Sequence, residues 1–321
     1  MKLHLDKEAF TALLRIVSES SKLRLDILEK DYYITLFLKE LSEWQEESFP
    51  VYFKGGTALY KALHSIRRYS EDIDLTVCVD DCNNSQAKRR LEKAAKGYTS
   101  LPRTALKELE RNQKGSIACV YDYESIMGMV IPDPLQRFSH VKVEATSFTV
   151  SEPFAPLSVS SLLYDKANEE QKTILREQYD VSPFSIKTIR LERIFADKVF
   201  AAEFYYQRHE YFDVSKHIYD LTVMSELEEI KNMLADPAEL TAMASFKRRE
   251  EETRTGSDLA RKPISEFTVF DGLEHNNELH SVFTTMQDIY IFDDADKIEF
   301  RKVIAAMALI NEKFLKEQAD L

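Results

Sequence analysis

Glycine and cysteine are both rare in this chain. Its 321 residues include only seven glycines and three cysteines, Cys78, Cys82 and Cys119. An odd number of cysteines, without a second Cys or His pair at metal-ligand spacing, argues against a disulfide framework and against a zinc site. We therefore expect free thiols, as is usual in a cytoplasmic protein.

Long apolar segments are also missing. No run of about 18 apolar residues occurs, so we predict no membrane-spanning helix. The N-terminal sequence MKLHLDKEAF carries charges from its second residue and lacks the apolar core of a signal peptide. The hydrophobic content of 44% in 321 residues is enough for one large domain or two to three small ones. We expect a cytoplasmic protein with no membrane partner.

The chain lacks a general excess of positive charge. Its formal net charge of −12 makes it a poor non-specific binder of nucleic acids. The distribution is uneven, because residues 88–114 contain nine lysines and arginines against three glutamates. This basic segment is interpreted either as a solvated helix face or as a surface that contacts RNA phosphates.

Hydrophobic periodicity predicts helices first, then short strands mixed with helices, then helices again. Helices are expected over 5–45, 57–66 and 85–112, the last interrupted near Gly97 and Pro102. Strands are expected over 51–53, 73–79 and within SIACVYDY and HVKVEATSF. The segment SIKTIRLERIFADKVFAAEFYY is expected to pass from strand to helix, and FDVSKHIYDLTVM to be helical. Residues 225–321 are expected to be helical, with a polar loop at 248–263.

The predicted strands are short and half polar, whereas doubly wound parallel sheets have longer apolar strands. We therefore predict an α+β fold, with a small mixed sheet flanked by N- and C-terminal helical regions. The corresponding domains are residues 1–47 (N-terminal helices), 48–225 (core) and 226–321 (C-terminal helices).

Two of the seven glycines are adjacent, in the stretch FKGGTALYKALHSI. Gly55 and Gly56 precede an apolar-periodic run, and glycine allows positive φ and close approach of the backbone to a ligand. The N-terminus of the following helix offers backbone N–H groups to a phosphate. Thr57 is expected either to cap the helix or to donate its hydroxyl to a phosphate oxygen. The alternative is a structural turn without a ligand.

Two aspartates follow in RRYSEDIDL. Asp72 and Asp74 are two residues apart, so on a strand they point the same way and repel each other unless a cation lies between them. Mg²⁺ is the expected ion. Glu144, in the strand HVKVEAT, is the candidate third carboxylate. Together with the glycine turn, these residues indicate metal-assisted phosphoryl or nucleotidyl transfer. The alternatives are a solvated strand end for the aspartates and an exposed position for Glu144.

The pattern Gly-Gly-Thr, helix, Ser-x-Asp-x-Asp resembles the polymerase-β-type nucleotidyltransferases. Within them it is similar to the AbiEii/AbiGii toxins of type IV toxin–antitoxin and phage-abortive systems. Over residues 25–225 the ordered matches are LEKDYYIT at Leu28–Thr35, KGGTAL with RYSEDIDL, the helix with Glu192, Ala196 and Lys198, and Tyr219–Leu221.

This resemblance implies Mg²⁺-dependent transfer of a nucleoside monophosphate from an NTP, with release of pyrophosphate. Related toxins modify tRNA acceptor ends, so RNA contacting the basic segment is the expected acceptor, and a cognate antitoxin is an expected partner. The nucleotide-binding residues would be Lys54, Gly55, Gly56, Thr57, Ser70 and Lys198. Asp72, Asp74, Lys198 and Asp220 would be catalytic, and Asp72, Asp74 and Glu144 would bind the metal.

The resemblance has two departures and leaves alternatives open. The spacing from Gly-Gly to Asp72 is slightly long for the superfamily. Where the family usually has Arg-Asp ahead of Tyr-Asp-Leu, this chain has Lys216 and His217, so one acidic residue is missing. Without the upstream motifs, Lys198 would be interpreted as snorkelling to the surface and Asp220 as a helix-surface acid. Two other functions remain: a catalytically silent module that binds an NTP or a partner protein, and a small-molecule nucleotidyltransferase, for example one acting on an aminoglycoside.

Overall fold

The computed structural model of the chain describes residues 2–127, 137–148, 153–255 and 258–319. Two compact units are present. Unit 1 consists of Met1–Ala62 and Glu71–Thr188, and unit 2 consists of Leu63–Ser70 and Ile189–Leu321. The three-part division into residues 1–47, 48–225 and 226–321 stays a prediction. None of the helices in the described ranges combines the length and apolar character needed to cross a membrane.

Strands occur almost entirely in unit 1. In the described residues they are β1 (Val51–Lys54), β2 (Ile73–Val77), β3 (Arg103–Thr104), β4 (Arg111–Gln113), β5 (Ser116–Asp122), β6 (His140–Thr146), β7 (Phe154–Val159) and β8 (Phe184–Ile189). The helices of unit 1 are α1 (Lys7–Ser21), α2 (Leu25–Glu46), α3 (Gly55–Lys61), α4 (Asn84–Lys96), α5 (Leu162–Lys166) and α6 (Glu169–Tyr179), with a 3-10 turn at Leu3–Leu5.

These strands form one mixed sheet of eight strands within the described residues, in the order β3-β5-β6-β2-β1-β8-β7, with β4 also paired to β5. Strand β2 is antiparallel to β1 and parallel to β6, and β1 is parallel to β8. Ile73, Leu75 and Val77 alternate into the core from β2. The predicted α+β class with a mixed sheet is confirmed, although β3, β4 and β7 were not predicted.

Helix α2 carries three consecutive charged residues that are all buried. Glu29 accepts hydrogen bonds from the Ser125 hydroxyl and the Ile126 N–H. Lys30 donates to the carbonyl of His140, the first residue of β6. Asp31 pairs with the ammonium of Lys61 at 2.5 Å and also accepts from the Leu162 N–H. Buried charges need such partners, so this helix fixes the start of β6, the end of α3 and the start of α5.

Unit 2 is helical. Its described helices are α7 (Leu191–Tyr206), α8 (Tyr211–Met224), α9 (Glu228–Ala235), α10 (Pro237–Thr255), α11 (Thr268–Gly272), α12 (Asn277–Tyr290) and α13 (Phe300–Ala319), with 3-10 turns at Asp258–Ala260, Ile264–Glu266 and Asp294–Asp296. Apolar side chains such as Phe195, Val214 and Phe283 are buried between them. The predicted helical C-terminal region is therefore confirmed.

Three boundaries differ from the sequence predictions. The helix expected over 57–66 ends at Lys61. In the stretch 85–112 the predicted interruption near Gly97 is confirmed, because α4 ends at Lys96, but β3 and β4 follow it rather than a second helix. The loop expected over 248–263 is wrong for residues 248–255, which belong to α10. The reason is a buried charge cluster: Lys247 lies 2.9 Å from Asp197, 3.4 Å from Glu250 and 3.1 Å from Glu251.

Candidate active site

The carboxylate of Asp74 leaves no space for a side chain at position 55. The φ of Gly55, +81°, is in the left-handed region, and a Cβ built there would lie 2.1 Å from Asp74 Oδ2. Any other residue would therefore be strained and would also displace the carboxylate. Gly55 begins α3 directly after β1, with Lys54 in the N-cap position. The paired glycines thus bring the backbone of α3 against the strand that carries Asp74.

Gly56 and Thr57 are buried in the first turn of α3. The predicted capping role of Thr57 is wrong, because Lys54 is the N-cap residue and Thr57 is the third residue of the helix. The Thr57 hydroxyl instead donates to the backbone carbonyl of Asp72. This hydrogen bond ties the start of α3 to the residue that precedes β2.

Three neighbouring strands align one cationic and two acidic side chains. In the register of the sheet, Lys54 of β1 is opposite Asp74 of β2, and Asp74 is opposite Glu144 of β6. Asp72 lies one residue before β2, so it flanks the strand rather than belonging to it as predicted. The structure therefore brings together Lys54, Gly55, Asp72, Asp74 and Glu144.

The electrostatics of this carboxylate cluster, defined as Asp72, Asp74 and Glu144, are unfavourable to full ionisation. Burial, followed by the negative charges of Glu144 and Asp72, raises the pKa of Asp74 to about 7, although Lys54 and Lys142 act in the opposite direction. Lys142 lies 3.2 Å from Asp72 and 3.8 Å from Glu144. The cluster therefore holds more negative charge than its neighbourhood easily accommodates.

A divalent cation suits the chemistry of this cluster. Carboxylate oxygens are the ligands that Mg²⁺ prefers, and the missing Cβ of Gly55 lets the Asp74 carboxylate lie against the backbone at the start of α3. Among the described residues, however, no three His, Cys, Asp or Glu side chains are already grouped as a metal site. The Lys142 ammonium lies between two of the three predicted ligands. The carboxylate oxygens of these residues are suitable metal ligands. For a metal to bind them, the Lys142 ammonium would have to move away from Asp72 and Glu144.

A second charge cluster lies within unit 2 and consists of Arg68, Lys198 and Asp220. Arg68 donates to both carboxylate oxygens of Asp220 at 2.7 Å, and the Lys198 ammonium lies 2.9 Å from the same carboxylate. Burial alone would raise the pKa of Asp220, but Arg68 and Lys198 lower it to about 2. Lys198 is 6% exposed and Asp220 is 0% exposed, so neither is the surface residue that the alternative interpretation required.

The two residues at the family departure are both explained by local contacts. Lys216 pairs with Asp213 at 3.2 Å on α8. The His217 ring stacks on Tyr205, with ring centroids 5.4 Å apart. Burial and then the positive charge of Lys198 hold the pKa of His217 well below its usual range, so the imidazole is neutral. Ser70, the remaining predicted nucleotide-binding residue, is half-buried at the end of the Leu63–Ser70 segment of unit 2.

The basic segment, residues 88–114, is less uniformly cationic than its sequence suggests. Arg90 pairs with Asp81, Arg103 with Glu110, and Arg111 lies 3.5 Å from Glu144. Lys93 lies over the rings of Phe49 and Trp44. Four further basic residues of the segment are exposed and are not part of these contacts: Lys88, Arg89, Lys107 and Lys114. Arg111 connects this segment to the carboxylate cluster.

Comparison with known proteins decides the family. The sequence model described as "Nucleotidyl transferase AbiEii toxin, Type IV TA system" matches residues 37–305, which is more than half of the chain. The chain belongs to the AbiEii family. This AbiEii-family protein is therefore a nucleotidyltransferase, and the resemblance seen in its motifs is confirmed. Membership of a type IV toxin–antitoxin family implies an NTP substrate and an antitoxin partner.

A solved structure gives a more distant similarity. MenT4, a nucleotidyltransferase toxin from Mycobacterium tuberculosis H37Rv, aligns with a TM-score of 0.47 and 13% sequence identity over 96% of this AbiEii-family protein and 90% of MenT4. No curated protein sequence matches the chain.

Sequence reasoning missed three charged residues that lie in or near the two clusters. Arg68 stands inside the quoted stretch RRYSEDIDL, but its partner Asp220 is 152 positions away. Lys142 shares one face of β6 with Glu144, where a lysine has the pattern of an ordinary polar strand residue. Lys30 was treated as part of a family marker, yet it is buried, and burial lowers its pKa to about 8 against the opposing effects of Glu71 and Asp72. Burial of adjacent charged residues could not be recognised from α2 alone.

Proposed function

We propose that this AbiEii-family protein transfers a nucleoside monophosphate from an NTP to the 3′ end of tRNA in the cytoplasm, with Mg²⁺. The acceptor hydroxyl oxygen forms a bond to the α-phosphorus, the bond from that phosphorus to the β-phosphate oxygen breaks, and pyrophosphate leaves. The hydroxyl proton passes to a carboxylate, for which Glu144 is the candidate. A cognate antitoxin would suppress this activity.

The observation that carries the proposal is the alignment of Lys54, Asp74 and Glu144 across three adjacent strands beside Gly55. Asp72, Asp74 and Glu144 would hold Mg²⁺, which when bound neutralises charge that develops on the phosphates. Lys54, Gly55, Gly56, Thr57 and Ser70 would contact the nucleotide.

Lys198 supplies positive charge for the triphosphate in this proposal. Asp220 holds the Lys198 ammonium at 2.9 Å, and Arg68 balances Asp220 from its other side. A lysine ammonium held in this position can contact an anionic ligand such as a triphosphate as a point charge.

The acceptor assignment is supported by the basic segment. Its exposed residues Lys88, Arg89, Lys107 and Lys114 provide phosphate-contacting charge, and Arg111 lies beside Glu144. A polyanionic acceptor is favoured over a cationic aminoglycoside by that charge. Replacing Lys88 and Arg89 with glutamate should weaken transfer to RNA and reduce the salt dependence of RNA binding.

The test is incubation of the protein with each α-³²P-labelled NTP, Mg²⁺ and total tRNA, followed by gel analysis of the RNA. Label at the tRNA 3′ end is expected with the wild type and with Asp180→Asn, an exposed control, and not with Asp74→Asn. Nucleotide binding without transfer would instead indicate a silent module. Transfer only to a small molecule such as an aminoglycoside would reject the tRNA assignment, and label unaffected by Asp74→Asn would reject the site.

A further inference from the structure

Lys142 is a cation located among residues that the proposed function assigns to a metal. Its ammonium lies 3.2 Å from Asp72 Oδ2 and 3.8 Å from Glu144 Oε2. Burial by itself lowers the pKa of Lys142, but the charges of Asp72, Glu144 and Asp74 raise it above its usual value. The side chain is therefore charged and held by two carboxylates.

The position of this ammonium is fixed by the backbone of β6. Val141 and Val143 point into the core, so Lys142 and Glu144 share the opposite face of the strand. The register with β2 places Glu144 opposite Asp74. At the start of β6, the hydrogen bond from Lys30 to the His140 carbonyl anchors the strand two residues before Lys142. The lysine thus belongs to a built arrangement rather than to a mobile surface.

The charges around the cluster explain why this position matters. Three carboxylates are close enough for two of them to raise the pKa of the third, and Lys142 is the cation that bridges two of them. A divalent ion bound by the same oxygens would lie within a few ångströms of the ammonium, and like charges at that distance repel strongly in a partly buried site. The ion and the lysine therefore compete for the same carboxylates.

We propose that Lys142 is an internal counter-ion that holds Asp72 and Glu144 together and is displaced when a divalent cation binds. This inference rests on the proposed function, since it takes the metal ligands from it. Lys142 then sets the affinity of the site for the ion. It weakens binding of the divalent cation, and it keeps the two carboxylates together when no divalent cation is bound.

The experiment measures metal binding by the full-length protein without NTP or acceptor. Mn²⁺ is titrated into the protein, and free Mn²⁺ is followed by electron paramagnetic resonance. Lys142→Met and Lys142→Gln should bind Mn²⁺ about tenfold or more tightly than the wild type, because a nearby unit charge is removed. Lys88→Met, which removes an exposed lysine from α4, should bind like the wild type.

A second measurement uses the wild type alone and does not depend on folding of a variant. Brief acetylation followed by peptide mass spectrometry reports the accessibility of each lysine. Saturating Mg²⁺ should increase modification of Lys142 several-fold and leave Lys88 unchanged, because the ammonium loses its carboxylate partners.

Unchanged or weaker Mn²⁺ binding by both variants would overturn the proposal, as would Lys142 acetylation that Mg²⁺ leaves unchanged or reduces. These outcomes are separate from the fate of the proposed function. A protein that transfers no nucleotide can still show tighter Mn²⁺ binding in Lys142→Met, and an active transferase can fail to show it.

Discussion

The carboxylate cluster of unit 1 and the Arg68–Lys198–Asp220 cluster of unit 2 shift the pKa of an aspartate in opposite directions. Asp74 has two acidic neighbours, and its pKa rises to about 7. Asp220 has two cationic neighbours, and its pKa falls to about 2. Burial raises the pKa of both aspartates, so the opposite directions of the two shifts come from their charged neighbours. The first cluster favours an incoming cation, whereas in the second cluster two cations already stabilise the ionised aspartate.

The largest expected effect comes from removing the carboxylate of the Arg68–Lys198–Asp220 cluster. Asp220→Ala leaves the Arg68 and Lys198 charges buried without their carboxylate, which should lower the free energy of unfolding by about 3–5 kcal/mol. Urea denaturation followed by circular dichroism measures this. Asp213→Ala, on the same helix but in a half-exposed pair with Lys216, should change it by less than about 1 kcal/mol. Equal losses in the two variants would contradict the comparison.

The contribution of the Arg68–Lys198–Asp220 cluster to stability should also be lost in acid. Because the pKa of Asp220 is lower in the folded protein than in the unfolded chain, its ionisation stabilises the fold above about pH 4, and this contribution disappears as the pH falls towards about 2. The difference in unfolding free energy between wild type and Asp220→Asn should therefore shrink by roughly 2 kcal/mol between about pH 5 and pH 2. A difference that stays constant over this range would show that Asp220 is not ionised through these pairs.

The carboxylate cluster should respond in the opposite direction. Asp74→Asn removes a charge that Glu144 and Asp72 disfavour, so in EDTA at about pH 8 it should stabilise the protein by roughly 1 kcal/mol or more while abolishing transfer. Differential scanning fluorimetry provides the measurement, and Asp180→Asn is the matched control in unit 1. Destabilisation by Asp74→Asn would mean that Lys54 and Lys142 already compensate the cluster.

The smallest effect is expected at the edge of the carboxylate cluster. The Arg111 side chain is 51% exposed and lies 3.5 Å from Glu144, so Arg111→Gln should change the free energy of unfolding by less than about 1 kcal/mol. Arg68→Gln, in which a buried bidentate partner is lost, serves as the contrasting variant in the same denaturation experiment. Similar values for the two would remove the distinction between an exposed edge and a buried pair.

Local sequence patterns predicted much of this fold. The period of 3 to 4 in α1 and α2 and the alternation in β2 and β6 come from neighbouring residues, so they could be recognised directly. The short strands β3 and β4 were missed because their few residues contain no complete period. The loop predicted at 248–263 was wrong over 248–255. A run of charged residues is typical of a solvent-exposed segment, whereas Lys247, Glu250 and Glu251 are buried in ion pairs.

The candidate site could be predicted where its members are close in sequence. Gly55, Gly56, Asp72 and Asp74 lie within one short stretch, and the pairing of strands then brings Glu144 to Asp74. Lys198 and Asp220 were indicated only by the family resemblance. Arg68 and Lys142 were missed because each is defined by a partner 152 or 70 positions away. Such contacts depend on the complete fold and leave no local pattern.

The three buried charges of α2 have a consequence for the order in which the chain folds during synthesis. Asp31 has an ion-pair partner in Lys61, 30 positions later, but Ser125 and His140, the partners of Glu29 and Lys30, follow by about one hundred residues. Until Ser125 and His140 leave the ribosome, Glu29 and Lys30 must stay hydrated, since burial of unpaired charges is too costly. Helix α2 therefore cannot reach its final packing before roughly half of the chain has been made, and unit 1 assembles late around its first long helix.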